Sequence, residues 1–181
     1  MEVDVVLVVL LAAGFLLGVL RGAVRQLIVL GAWLVVFFLS IYLRPIVGDW
    51  IANNRPDLSR EYVDMLAFLA TFLVLFTIAV VVIEVTGTTI HLTQRVAVDE
   101  ILGGFLALGA TLLAIATVAI ALDTYYAGTP QPGAAEMEFV RELHLAFERS
   151  AIIRQMHEAL IPGLIAITGP LLPQDIRAVY S

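Results

Sequence analysis

The stretch VLRGAVRQLIVLG, residues 19–31, sets Arg21 and Arg25 between two long apolar runs. A soluble core rarely buries such a pair, and a single membrane span would expel it. The reading that accommodates both arginines is a break between two spans, residues 5–20 and 26–43. Gly22 lies between the arginines, so they mark a tight helical hairpin at the membrane surface.

Working outward, the runs 65–83 and 101–122 are apolar throughout and free of internal charge. Spanning hydrocarbon takes roughly 20 residues, and in lipid only a helix satisfies the backbone of such a segment. The first two runs reach that length if their flanking charges snorkel toward the headgroups. Composition agrees: 61% of the 181 residues are hydrophobic, 14% are charged, and the mean hydropathy is +0.98. An ordinary soluble domain is about half apolar and a quarter charged. The expectation is an all-α integral membrane four-helix bundle over residues 1–123, with a C-terminal amphipathic helix. The acidic start Met1-Glu2-Val3-Asp4 has no small-residue cleavage site after it, so the first run is expected to stay in the protein.

Between the second and third runs, residues 44–64 contain Pro45, Gly48 and NNRPD, which read as loop, with a helix restarting near Asp57 or Ser59. Residues 84–100 read as a short, mixed connection or as a partial continuation of the third helix. After the fourth run, 124–133 read as a linker around GTPQPG. Residues 134–162 read as one amphipathic helix, striped by Phe139, Leu143, Ala146, Ser150, Ile153, His157 and Leu160, lying on the membrane or on the bundle. Residues 163–181 are read as irregular.

Several function classes are excluded or left without residues to carry them. The net charge of −6 offers no basic patch for nucleic acid. With no cysteine, thiol chemistry and thiolate metal sites are out. HEALI at His157 begins like a zinc-protease helix, but Ile161 stands where the second histidine belongs. His91, His144 and His157 are scattered along the chain, and no serine sits in a Gly-x-Ser-x-Gly elbow. The expectation is a protein that is not an enzyme and takes no cofactor or metal.

Two features remain. Gly14, Gly18 and Gly22 recur every fourth residue, and Gly103, Ala107, Ala110 and Ala114 form a second small-residue stripe. Small residues let helix backbones approach closely, so both stripes read as packing faces, with a groove beside a lipid or substrate path as the alternative. Four spans also place Arg21, Arg25 and Arg95 on the same membrane boundary as Glu84, Asp99 and Glu100. Charges beside hydrocarbon are costly unless paired. At least one of Arg21 and Arg25 is therefore expected to pair with Asp99 or Glu84, with capping of its own helix as the other reading of Asp99. Basic residues near the span ends balance between the two faces and do not orient the chain.

An aspartate opening the first helix, followed by GFLLGVLRGAVRQL, resembles the start of the colicin V production protein family of bacterial inner-membrane proteins. Asp4, Gly18, Arg21, Gly22 and Arg25 match that family's pattern, with Gln26 in place of its usual acid. VDEILGGFLALGA is similar to its second motif through Asp99 and Gly103, while Glu100, Ala107 and Ala110 depart from it. Ser150 and Pro162 match the family's tail. The resemblance implies four spans and an accessory part in toxin production or export and in envelope maintenance. It also implies residence in the bacterial cytoplasmic membrane with both termini extracytoplasmic. Membrane lipids and a membrane or envelope protein are the expected partners, nucleic acid is not, and a homo-oligomer is left open. A small transporter or channel component is the alternative function.

Overall fold

The computed structural model describes residues 2–86, 96–128, 138–160 and 162–163. These form α1 (Glu2–Arg21), α2 (Ala23–Asn54), α3 (Arg60–Thr86), α4 (Val96–Gly128), α5 (Glu138–Glu148) and α6 (Ala151–Gln155), with a closing π-helical turn, Met156–Leu160. No strand occurs among the described residues, and the four long helices pack as a bundle. All four are long and apolar enough to cross a membrane, over Val3–Arg21, Ala23–Asn54, Arg60–Thr86 and Ala97–Tyr126. The bundle's outer surface is paved with exposed Val9, Leu16, Leu27, Val35, Val74 and Phe105, a continuous apolar coat that suits lipid and not water.

Each long helix outruns its apolar run, and two of them extend into stretches expected to be loop or linker. α2 continues through residues 44–54, where Pro45 and Gly48 were expected to open a loop. A proline removes one ladder hydrogen bond, but packing against a neighbour can hold the helix through it. That neighbour is α3. Gly48 lies against Asp64 and Ala67, and Arg60 pairs with Asp49 at 2.7 Å and with Asp64 at 3.2 Å. At 1.5 Å per residue the 32 residues of α2 extend about 48 Å. Its end therefore projects beyond a hydrocarbon layer about 30 Å thick. The true α2–α3 loop is residues 55–59. There Arg55 donates to both oxygens of Asp57 at 3.0 and 2.9 Å. Those hydrogen bonds hold the Asp57 carboxyl below the usual carboxylate range and push the Arg55 guanidinium up. Likewise α4 runs on to Gly128, drawing residues 124–128 of the expected linker into the helix. The rest of that linker, and residues 164–181 of the tail, lie outside the described residues.

The chain order does not set the packing order. α1 lies chiefly along α4, while α2 lies along α3 and α4. The α2–α3 seam is aromatic: Trp33 stacks on Phe37 at 5.3 Å, Phe37 meets Phe68 edge-on at 6.0 Å, and Phe68 and Phe76 both stack on Phe72. Such pairs interlock two antiparallel helices more specifically than aliphatic contact alone.

The C-terminal segment is two helices where one was expected, because the backbone turns extended at Ser150. The Ser150 hydroxyl accepts the Ile153 N–H at 3.2 Å and so starts α6 as an N-cap. In α5 the buried face is shifted by one residue, since Phe139 is 71% exposed and Val140 8%, whereas Ser150 and Ile153 of the expected stripe are buried. Val140, Phe147, Ile153 and Met156 pack on Leu7 of α1, Tyr62 and Met65 of α3, and Leu122 and Tyr125 of α4. Burying a side chain of this size is worth on the order of 1.5–3 kcal/mol. The amphipathic face is thus committed to the end of the bundle.

Candidate functional site

Gly22, φ 79°, is the single residue between α1 and α2. A side chain in this left-handed conformation is strained, so the break demands glycine. Starting α2 here leaves backbone N–H groups without helical partners. Asp99, from the first turn of α4, supplies what Gly22 lacks: its Oδ1 accepts the Ala23 N–H at 3.1 Å. Its carboxylate also fills the space that a Gly22 Cβ would occupy. Asp99 is buried, and the positive ends of two helices, its own and α2, offset its charge.

The arginines go elsewhere. Glu84, near the end of α3, receives Arg25 at 2.8 Å and Arg21 at 3.3 Å. Arg25 also donates to the carbonyls of Ile83 and Glu84 at 3.1 and 3.0 Å, satisfying acceptors that the end of α3 leaves open. A cation in the first turn of its own helix is misplaced with respect to that helix's dipole. Against the C-terminal end of α3 it is well placed. The cluster is therefore a pair of crossed caps: α2 closes the end of α3, and α4 closes the start of α2. The arginines are 22–25% exposed and Glu84 is 45% exposed, so these pairs fix geometry more than they add stability. Glu100 is exposed beside the cluster. Arg95 and His91 lie outside the described residues.

The two small-residue stripes face each other. A Cβ on Gly18 would land within 3.0 Å of Gly103 O, Gly103 C and Ala107 Cβ, and one on Gly103 within 3.0 Å of the Gly22 backbone. Gly14 presses on Thr111 in the same way. Ala107 and Ala110 are buried in that contact region. α4 fills the groove along α1 at these positions.

The family model described as colicin V production protein matches residues 3–159. The chain belongs to the colicin V production protein family. No curated protein and no solved structure matches it. Of the residues that carry the resemblance, Gly18, Arg21, Gly22, Arg25, Asp99 and Gly103 gather at this end of the bundle, and Asp4 and Ser150 meet at the other.

At the opposite end, Asp4 of α1 and Ser150 meet across 146 positions: the hydroxyl donates to Asp4 Oδ1 at 2.6 Å, and the Ile152 N–H reaches the same oxygen at 3.4 Å. A second tie, which sequence reasoning missed, gathers around Asp123 near the end of α4. His157 Nε2 lies 3.1 Å from Asp123 Oδ2, and His144 Nδ1 lies 4.0 Å from Oδ1. His144 also stacks on Tyr126, with centroids 4.1 Å apart and planes 8° from parallel, and its Nε2 lies 3.6 Å from Glu148. No spacing rule relates these residues. The available signal was a carboxylate at a span's end opposite two histidines on the amphipathic segment. Among the described residues, no group of three or more His, Cys, Asp or Glu side chains is placed to hold a metal ion.

Proposed function

We propose that this member of the colicin V production family is a non-enzymatic membrane scaffold, accessory to toxin export or envelope maintenance, in the bacterial cytoplasmic membrane. The observation that carries the reading is how the polar side chains are used. Arg21, Arg25, Glu84 and Asp99 join helices at one end, while Asp4, Ser150, Asp123, His144 and His157 join the tail to the other. Within the spans, the hydroxyls of Ser40, Thr77, Thr111 and Thr117 donate to carbonyls of their own helices four residues back, while the buried Thr71 hydroxyl makes no such bond. Hydroxyls held this way support a scaffold over a small transporter or channel, whose path needs polar groups facing inward. In this reading the termini and the tail are extracytoplasmic and the arginine turn is cytoplasmic, as the rule for basic loops permits. The partner is a membrane or envelope protein.

Photo-crosslinking from Phe139, which projects from α5, tests this in native membranes. A discrete adduct with an envelope protein, together with envelope sensitivity on deletion, is the expected result. A chain that crosslinks only to lipid and whose deletion leaves toxin export and envelope integrity unchanged refutes it. Ion or solute flux through the purified chain in vesicles would replace it with the transporter reading.

A further inference from the structure

We propose that Tyr42, Ile46 and Trp50 form an interfacial anchor, which beds the projecting end of α2 in the headgroup layer of the bilayer. The three lie at i, i+4 and i+8 on one face of the helix and are 74%, 67% and 68% exposed. The opposite side of the same stretch belongs to α3, where Gly48 lies against Asp64 and Ala67. The tail packs on α1, α3 and α4, and its buried cluster includes no residue of α2. Among the described residues this face of α2 is therefore left largely uncovered.

Depth decides what covers it. α2 starts at the arginine turn, which marks one boundary of the hydrocarbon. A layer about 30 Å thick, at 1.5 Å per residue, is crossed in about 20 residues, near Leu43. The apolar run ends at the same place. Tyr42 therefore sits at the far boundary, with Ile46 about 5 Å and Trp50 about 10 Å beyond it. The headgroup layer is about 5–8 Å deep on each side, and an ordinary tilt of about 20° brings Trp50 closer in. Rings with an apolar body and a polar N–H or O–H collect at this level, where one end meets hydrocarbon and the other meets water. The ion pairs nearby, Arg60 with Asp49 and Asp64 and Arg55 with Asp57, close on themselves, so the face offers apolar contact and not charge. A second copy fits it less well, because three side chains fall well short of the roughly 800 Å² per partner that a stable protein interface takes. The anchor also sets the height of the tail's seat. Tyr62 and Met65, on which the tail packs, flank the Asp64 that meets Gly48.

The chain has two tryptophans, Trp33 and Trp50, so Trp33→Phe leaves Trp50 as the sole indole. The full chain in phosphatidylcholine nanodiscs, with lipid spin-labelled either near the headgroup or near the end of the acyl chain, reports the depth of that indole. The headgroup-proximal label is expected to quench Trp50 at least about threefold more than the deep label, with aqueous iodide quenching it weakly. Strong iodide quenching with no response to either lipid puts Trp50 in water and overturns the anchor. Stronger quenching by the deep label puts it in hydrocarbon and overturns it as well. Shielding from all three quenchers means that protein covers the face, which also refutes the proposal. If Trp33→Phe disturbs the α2–α3 seam, the difference between the parent chain and Trp50→Phe isolates the same signal with Trp33 in place. The inference rests on the four-span placement. Labelling of Asn53→Cys and Arg149→Cys from one side, without headgroup quenching at Trp50, sinks the anchor alone and leaves the bundle standing.

Discussion

Gly18→Ala adds one methyl group at the crossing of α1 and α4. The new carbon falls within 3.0 Å of a backbone carbonyl and of the Ala107 methyl, whereas ordinary contact lies at 3.4–4 Å. Backbone on the facing helix cannot swing aside as a side-chain tip can, so the helices must part by about 1 Å along their closest stretch. Overpacking of this kind costs about 1–3 kcal/mol. Separation also loosens the contacts of Gly14 with Thr111 and of Gly22 with Asp99. Gly31 and Gly109 serve as internal controls, since a Cβ at either meets nothing within 4 Å. There, alanine is expected to be neutral or to stabilise by up to about 1 kcal/mol through helix propensity. Steric-trap unfolding in bicelles measures all three variants on one scale. If Gly18→Ala proves as mild as Gly31→Ala, the close approach of α1 and α4 is refuted.

Other substitutions test the ties individually. Asp99→Ala removes the cap on α2 and is expected to cost about 0.5–2 kcal/mol in the same unfolding assay, with Asp99→Asn recovering most of it by keeping an acceptor. Glu84→Gln leaves two guanidiniums sharing no carboxylate. Partial exposure keeps the cost to about 1 kcal/mol, and added salt should shrink the difference from the parent chain. Ser150→Ala is expected to release the start of α6, read as faster amide exchange at Ile152 and Ile153 with little change in the spans. In the α2–α3 loop, the depressed Asp57 carboxyl contributes to order above the ordinary aspartate range, and that contribution fades as pH falls through its lowered value. Asp57→Asn should remove this acid sensitivity from the loop's amide exchange.

The number of spans was legible because long uncharged apolar runs have few other solutions in a chain of this composition. The hairpin was legible too, since Arg21 and Arg25 form the only charged break between the first two runs and Gly22 lies between them. That an arginine would pair with Glu84 or Asp99 followed from topology and the cost of unpaired charge, because four spans bring the first turn and the third connection to one face; the partner is Glu84. What local reading could not supply was the distant partner. Asp99 reads as a cap for its own helix, yet it caps a helix that begins 76 residues earlier. Pro45 and Gly48 read as loop because those signals describe an isolated segment, and α3 stabilises the helix through them. The meeting of Asp4 with Ser150, and of Asp123 with His144 and His157, depends on how the tail docks, which no periodicity encodes.

In the four-span bundle the arginine turn and the start of α4 share one face of the membrane, while the α2–α3 loop and the tail share the other. Single cysteines at Glu100, Asn53 and Arg149, each exposed in the structure, can be probed in sealed vesicles of one orientation with a membrane-impermeant thiol reagent. Asn53→Cys and Arg149→Cys should react from one side and Glu100→Cys only from the other. Labelling of all three from a single side would contradict the four-span bundle.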